Sequence, residues 1–193
     1  MDRRALLTGL AAAAAFPARA EPTWQARLIA AAERQVGRTV LYDGAYVRLA
    51  YPGGDVPRER GVCTDVVIRA YRDAFGLDLQ TLVHEDMRRA FAAYPRNWGL
   101  SRPDRNIDHR RVPNLETFLK RRGAGLPHSG YQAGDLVTQR LPGNLPHILI
   151  VTARQAAPGR PLVVHNIGAG TRVEDALFDY PVTGHFRFPP ERA

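Results

Sequence analysis

Apolar residues recur at helical spacing in four segments of the first two-thirds of the chain. The spacing predicts helices over residues 24–36, 63–75, 79–94 and 114–122. Gly37, Gly76, Pro95 and Gly123 supply the stop signals, and Asn114 is the predicted N-cap of the fourth helix. In the second helix one face is apolar, and the opposite face is predicted to expose Arg69, Arg72 and Asp73.

After residue 130 the pattern changes to short runs rich in β-formers, bounded by turn residues. These runs are DLVTQ, HILIVTA, LVVHNI and GHFRF. The connections between them are too short for crossover helices, so the strands should pair antiparallel. Helices first and a sheet afterwards predict an α+β domain.

The first twenty residues have the pattern of an export signal. Arg3 and Arg4 precede the apolar run ALLTGLAAAAAF, and Ala18-Arg19-Ala20 fits a signal-peptidase site. The organisation predicted is therefore a signal peptide over 1–20 and a single domain over 21–193, located in the periplasm or outside the cell. The paired arginines leave the general and twin-arginine export routes both open, and no other segment could cross a bilayer.

The chain is basic. Its formal charge of +8 includes three arginines and one aspartate of the signal, so the exported part carries +6. An exported basic protein favours anionic cell-wall polymer over nucleic acid as a partner, and no aromatic-interleaved basic strip indicates a nucleic-acid groove. The run RNIDHRR is predicted to be a solvated loop in which Arg110 and Arg111 flank a groove and attract carboxylates of a cell-wall peptide.

The single cysteine, Cys63, lies where the second helix is predicted to begin. No internal disulfide can form. Unpaired N–H groups and the dipole at a helix start favour a thiolate there, although Asp65 in the same turn opposes this effect. A packed core cysteine is the alternative interpretation.

Two histidines provide the second part of a candidate site. His147 opens the strand HILIVTA, and His165 lies in LVVHNI after the predicted hairpin loop near 156–158. Antiparallel pairing makes the two histidines cross-strand neighbours. Cys63, His147 and His165 can then act as nucleophile, base and orienting residue. Asn166 competes for the third role, but it points to the opposite face of its strand.

The stretches CTDVVIRAYRDAFGLDL, GDLVTQ, PHILIVT and VVHNIGAGTRVEDAL resemble the order of elements in the NlpC-type cell-wall cysteine peptidases, a papain-like superfamily. Within it, GVCTDVVIRA, IDHRRVPNL and VTGHFRF are most similar to the exported YijF-like proteins of unknown function. The resemblance implies the nucleophile helix packed on an antiparallel sheet. It implies the same three catalytic residues, with Tyr51, or Tyr46 as the fallback, lining the site.

The resemblance implies a hydrolase that cleaves an amide bond in peptidoglycan peptides through an acyl-enzyme. Asp65 and Asn166 join the tyrosines and arginines as candidate substrate-binding residues. Val62-Cys63-Thr64-Asp65 departs from the superfamily's Asp-Cys-Ser-Gly, so the superfamily's substrate contacts near the oxyanion site are not carried over to this chain. No cofactor and no metal is predicted, since neither His84-Glu85-Asp86 nor Asp108-His109 has ligand spacing. A catalytically silent wall-binding domain is the alternative; a transferase, the bond cleaved and the oligomeric state stay open.

Overall fold

The computed structural model describes residues 21–192, so the predicted signal peptide lies outside the described residues. The first half contains the helices α1 (Trp24–Glu33), α2 (Cys63–Phe75), α3 (Leu79–Ala90) and α4 (Val112–Arg121). Two short strands, β1 (Leu41–Tyr42) and β2 (Arg60–Gly61), pair in parallel just before α2. The second half contains β3 (Leu136–Leu141), β4 (Leu145–Ala157), β5 (Arg160–Asn166), β6 (Thr171–Glu174) and β7 (Val182–Phe186). Single turns of 3-10 helix cover Phe91–Ala93, Asp108–Arg110, Pro142–Asn144 and Pro190–Arg192.

The last five strands form one antiparallel sheet in the order β6-β5-β4-β3-β7. The predicted α+β class with an antiparallel sheet is therefore confirmed. None of the helices within the described range 21–192 is both long and apolar enough to span a bilayer.

The main core lies between the helices and one face of the sheet. Alternate residues of β4, Ile148 and Ile150, face the helices and join Cys63 and Val66 of α2 in one buried cluster. The opposite face, with Leu149 and Val151 among its residues, is covered by the segment around Leu177. Because strand side chains alternate between faces, β4 has both faces buried and is apolar throughout its centre.

The α4 start differs from the prediction. Asn114 is not the N-cap: α4 begins at Val112, and the Asn114 amide donates to the Asp108 carbonyl at 3.0 Å. The pattern also missed β6, because four residues with the sequence TRVE are too short and too polar to show alternation.

Arg69 corrects the predicted polar face of α2. Its side chain is fully buried, and its guanidinium forms an ion pair with Asp55 and donates to the carbonyls of Val56 and Arg60. A buried cation needs this many partners to offset its desolvation. Arg69 therefore fixes the loop that leads through β2 into the start of α2.

Candidate active site

Cys63 is the first residue of α2, and its position is set by a cap inside the same turn. The Asp65 carboxylate accepts a hydrogen bond from the Val62 N–H at 2.7 Å, satisfying one of the donors that a helix start leaves unpaired. The Cys63 side chain is only 4% exposed. The thiol thus lies at a helix N-terminus, beneath the surface.

Burial dominates the acidity of this thiol. Desolvation raises the pKa of Cys63 to about 11; the Ile148 N–H and the first N–H groups of α2 lower it, while Asp65 raises it. The helix start alone therefore does not produce a thiolate, contrary to the bias expected from position. In the free protein at neutral pH, Cys63 is a neutral thiol.

The two histidines meet across β4 and β5, as the hairpin predicted. Ile150 pairs with Val164 and Val151 with Val163, a register that places His165 diagonally opposite His147 on the same face. His147 Nε2 lies 2.8 Å from His165 Nδ1. Burial is the first cause that lowers the pKa of both rings, that of His147 to about 3, so both are neutral at pH 7.

Glu174 of β6 extends this pair and fixes both tautomers. His165 Nε2 lies 3.2 Å from Glu174 Oε2, and a carboxylate can only accept, so the His165 proton is on Nε2. His165 Nδ1 is then an acceptor, and His147 must donate from its Nε2. The lone pair of His147 is consequently on Nδ1, the nitrogen a general base would use.

Cys63 contacts β4 at the residue that follows His147. The Ile148 N–H, the peptide group that follows His147, hydrogen-bonds the Cys63 sulfur. Within residues 21–192, His147 Nδ1 has no hydrogen-bond partner and Cys63 forms no hydrogen bond to either histidine. Because side chains alternate along β4, His147 lies on the face of Leu149, opposite to Ile148 and Ile150, which pack with Cys63. The structure therefore brings Cys63 next to the backbone of β4 but leaves the His147 ring on the other face of the strand.

Tyr42 is a site residue that sequence reasoning missed. It is half exposed and pairs with Gly61 in the short parallel ladder, two residues before Cys63. Burial and the nearby Cys63 and Asp65 raise the Tyr42 pKa to about 12. Its hydroxyl is therefore protonated at neutral pH. Only the pairing of β1 with β2 brings Tyr42 to the segment before Cys63. Each of these strands has two residues, too few for a sequence pattern to reveal the pairing.

Asp65 and Arg110 correct the predicted substrate-binding roles. The Arg110 Nε and Nη2 each lie 2.9 Å from the Asp65 carboxylate, and both side chains are buried. Arg110 also donates to the carbonyls of Asp43 and Ala45. This pair fastens the segment after Tyr42 to the start of α2, so neither charge is available to a substrate.

Arg111 and Asn166 are also engaged elsewhere. Arg111 pairs with Asp108 at 3.1 Å and stacks at 4.0 Å over the Trp98 ring. The buried Asn166 amide donates to the Gly61 carbonyl at 3.0 Å, on the face of β5 away from His147. Asn166 therefore ties the strand to the loop before Cys63 rather than orienting the base.

The two predicted tyrosines lie apart from the thiol. The Tyr51 hydroxyl bonds Glu85 of α3 at 3.1 Å, and its ring packs edge-on against His84. Tyr46 donates to Asp104 at 3.0 Å. Neither has a hydrogen bond or ring contact to Cys63 within the part of the chain described. Of the three tyrosines, Tyr42 is the one that pairs with the segment leading into Cys63, through Gly61.

The fold and site define an α+β domain with a buried thiol at a helix start and, on the other face of the adjacent strand, two histidines and a glutamate joined by hydrogen bonds. The chain belongs to the family described as "Domain of unknown function (DUF1287)", whose model matches residues 29–188. It is also 57% identical over 161 residues to "Uncharacterized protein YijF" of Escherichia coli (strain K12), covering 81% of this chain and 78% of that protein. The resemblance to the YijF-like family is thereby confirmed.

Proposed function

We propose that this protein is an exported cysteine hydrolase of the papain-like, NlpC-type superfamily that cleaves an amide bond in peptidoglycan peptides. The observation that carries the proposal is the pair of hydrogen bonds that joins His147 to His165 and His165 to Glu174. It leaves an unprotonated, unpartnered nitrogen on His147, whose neighbouring peptide N–H contacts the only thiol of the chain.

In the first half-reaction, His147 Nδ1 takes the proton from Cys63 as the sulfur attacks the amide carbonyl. The Glu174 carboxylate stabilises the resulting imidazolium through His165, because His147 donates to His165 and His165 donates to Glu174. His147 then returns the proton to the leaving nitrogen as the C–N bond breaks. The products are a free amine and a thioester on Cys63.

In the second half-reaction, His147 takes a proton from water, which attacks the thioester carbonyl. The C–S bond breaks, the carboxylic acid leaves, and the proton returns to the sulfur. The oxyanion formed in each half has two candidate donors, the Cys63 N–H and the Tyr42 hydroxyl, which its raised pKa keeps protonated. Each such donor typically contributes about 3 kcal/mol.

The alternative proposal, a catalytically silent wall-binding domain, is favoured by the state of the thiol. Cys63 is nearly inaccessible and its pKa is raised to about 11. The hydrolase therefore requires that a bound substrate displace the cover over Cys63, bring the His147 ring from the other face of β4 to the sulfur, and favour the thiolate–imidazolium pair. In the binding module no such opening occurs.

Product analysis of purified peptidoglycan separates the two proposals. The full chain should release new free amino groups and shortened peptides detectable by mass spectrometry, whereas Cys63→Ala and His147→Ala should release none yet still cosediment with the polymer. Glu33→Gln, which removes a partly exposed carboxylate paired with Arg154, is the matched control and should stay active. Digestion by Cys63→Ala equal to that of the parent would refute the hydrolase.

A further inference from the structure

A cavity of about 500 Å³ opens between the segment after β1, helix α3 and the loop over residues 100–106. Its lining includes Tyr46, Arg48, His84, Arg102 and Arg105. A volume of this order accommodates a small ligand or a pair of amino-acid residues. Its lining does not include the candidate catalytic residues Cys63, His147 and His165 or their partner Glu174.

The charges around this cavity are unbalanced. The guanidinium groups of Arg48, Arg102 and Arg105 have no ion pair or hydrogen bond to any residue in the described part of the chain. Arg105 only stacks over the Tyr51 ring, at 5.4 Å. By contrast, the buried Arg69 and Arg110 are each paired with an aspartate. The lining therefore presents three guanidinium groups without an ion pair and only one carboxylate, that of Asp104.

The one carboxylate in the lining, that of Asp104, maintains the shape of the cavity. It accepts from the Tyr46 hydroxyl at 3.0 Å and from the Asn106 amide at 2.8 Å. Asn106 in turn accepts from the Leu49 N–H at 3.0 Å. These bonds join the segment over residues 46–49 to the loop over residues 104–106. The cavity is therefore formed before a ligand binds, and less conformational entropy is lost on binding.

The cavity is within reach of the candidate active site. Tyr46 in its lining is four residues from Tyr42, so the Cα atoms of the two tyrosines are at most about 14 Å apart. Tyr42 pairs with Gly61, two residues before Cys63. The segment between them is anchored by the Arg110 bond to the Ala45 carbonyl at 3.2 Å. A peptide bound at Cys63 could extend into the cavity within a few residues.

We infer that this cavity binds free carboxylates of the peptide whose amide is cleaved at Cys63, through Arg48, Arg102 and Arg105. Guanidinium groups recognise carboxylates through paired N–H donors, and a concave site strengthens their combined field. The inference rests on the proposed function and adds its substrate class, an anionic peptide with carboxylates a few residues from the scissile bond.

Calorimetric titration of the full chain carrying Cys63→Ala tests this inference without turnover. The probes are a synthetic tetrapeptide with two free carboxylates and its diamide. We expect the dicarboxylate to bind at least tenfold more tightly at low salt. Arg102→Gln with Arg105→Gln should reduce its affinity to that of the diamide. Lys120→Gln, an exposed cation on α4 outside this cavity, should leave both affinities unchanged.

Equal affinity for the two peptides, or unchanged binding by the double variant, would overturn the inference. Displacement of the dicarboxylate by an equal concentration of inorganic phosphate would also overturn it, because the site would then be a general anion site. Failure of this inference is distinguishable from failure of the proposed function. If the protein is an active hydrolase with no preference for the dicarboxylate, only the carboxylate-binding role of the cavity is refuted. If it is inactive but retains the preference, only the proposed hydrolase activity is refuted.

Discussion

The Nδ1 lone pair of His147 depends on a residue of another strand. Glu174 forces the proton of His165 onto Nε2, which in turn forces that of His147 onto Nε2. Sequence reasoning found the two histidines because each interrupts an apolar run. It could not find Glu174, since that residue lies in the unpredicted β6 and nothing local marks it as a partner of His165.

Glu174→Gln should lower kcat/KM for amide cleavage roughly tenfold, because it removes the negative charge that stabilises the imidazolium. The Glu174 side chain is 38% exposed, so solvent weakens its effect relative to that of a buried carboxylate. Steady-state rates on a peptidoglycan peptide measure the change, with Glu33→Gln as the matched control. An unchanged kcat/KM would exclude Glu174 from the proton path.

Cys63 should be unreactive in the absence of substrate. With a pKa of about 11, its thiolate population at pH 7 is far below that of a free thiol, and the greater nucleophilicity of a more basic sulfur compensates only in part. Iodoacetamide should label the native protein about 20-fold or more slowly than the urea-unfolded chain, with a rate that still rises above pH 9. Faster labelling of the native than of the unfolded chain at pH 7 would contradict this account of the resting thiol.

At the scale of elements, the helices could be predicted from their apolar faces. The helix ends that depend on partners distant in the sequence could not. Gly76 closes α2 in the left-handed conformation, at φ 70°, as its sequence position indicated. The Asn114 cap was wrong because that side chain bonds backward to Asp108. Arg110 was predicted to be solvated because its aspartate partner is 45 residues away, where no local charge pattern reveals it.

The Asp65–Arg110 pair should be the main anchor of the α2 start. Arg110→Met leaves the buried Asp65 carboxylate without its cation, which typically costs about 3 to 5 kcal/mol of unfolding free energy. Urea unfolding measures the loss. The exposed pair of Arg60 with Asp43 is the control, and Arg60→Met should cost less than about 1 kcal/mol. A similar small cost for both variants would show that the buried pair does not anchor the helix.

At the scale of the whole molecule, buried neutral histidines make stability depend on pH. Burial lowers the pKa of both His109 and His147 to about 3. An unfolded histidine takes up its proton near pH 6.5, so between these values the unfolded state binds more protons. The contribution of these neutral histidines to the free energy of unfolding is therefore fully present above pH 6.5 and is lost as the pH falls toward 3.

Unfolding free energy should drop by roughly 1 to 2 kcal/mol per buried histidine between pH 7 and pH 5. Urea denaturation at the two pH values measures it. His109→Asn should reduce the pH dependence, whereas replacement of the exposed His128 by Asn should not. A free energy independent of pH in this range would show that these rings take up their protons at the same pH in the native and unfolded states.

The measurement that tests the central claim most directly is detection of the covalent intermediate. The full chain is mixed with purified peptidoglycan peptides, quenched in acid within milliseconds to seconds, digested and analysed by mass spectrometry. We predict an acyl adduct on the fragment containing Cys63, reduced in His147→Ala and absent in Cys63→Ala. Release of free amine without any adduct, or an adduct-free Cys63→Ala variant that digests the polymer as fast as the parent, would contradict the account.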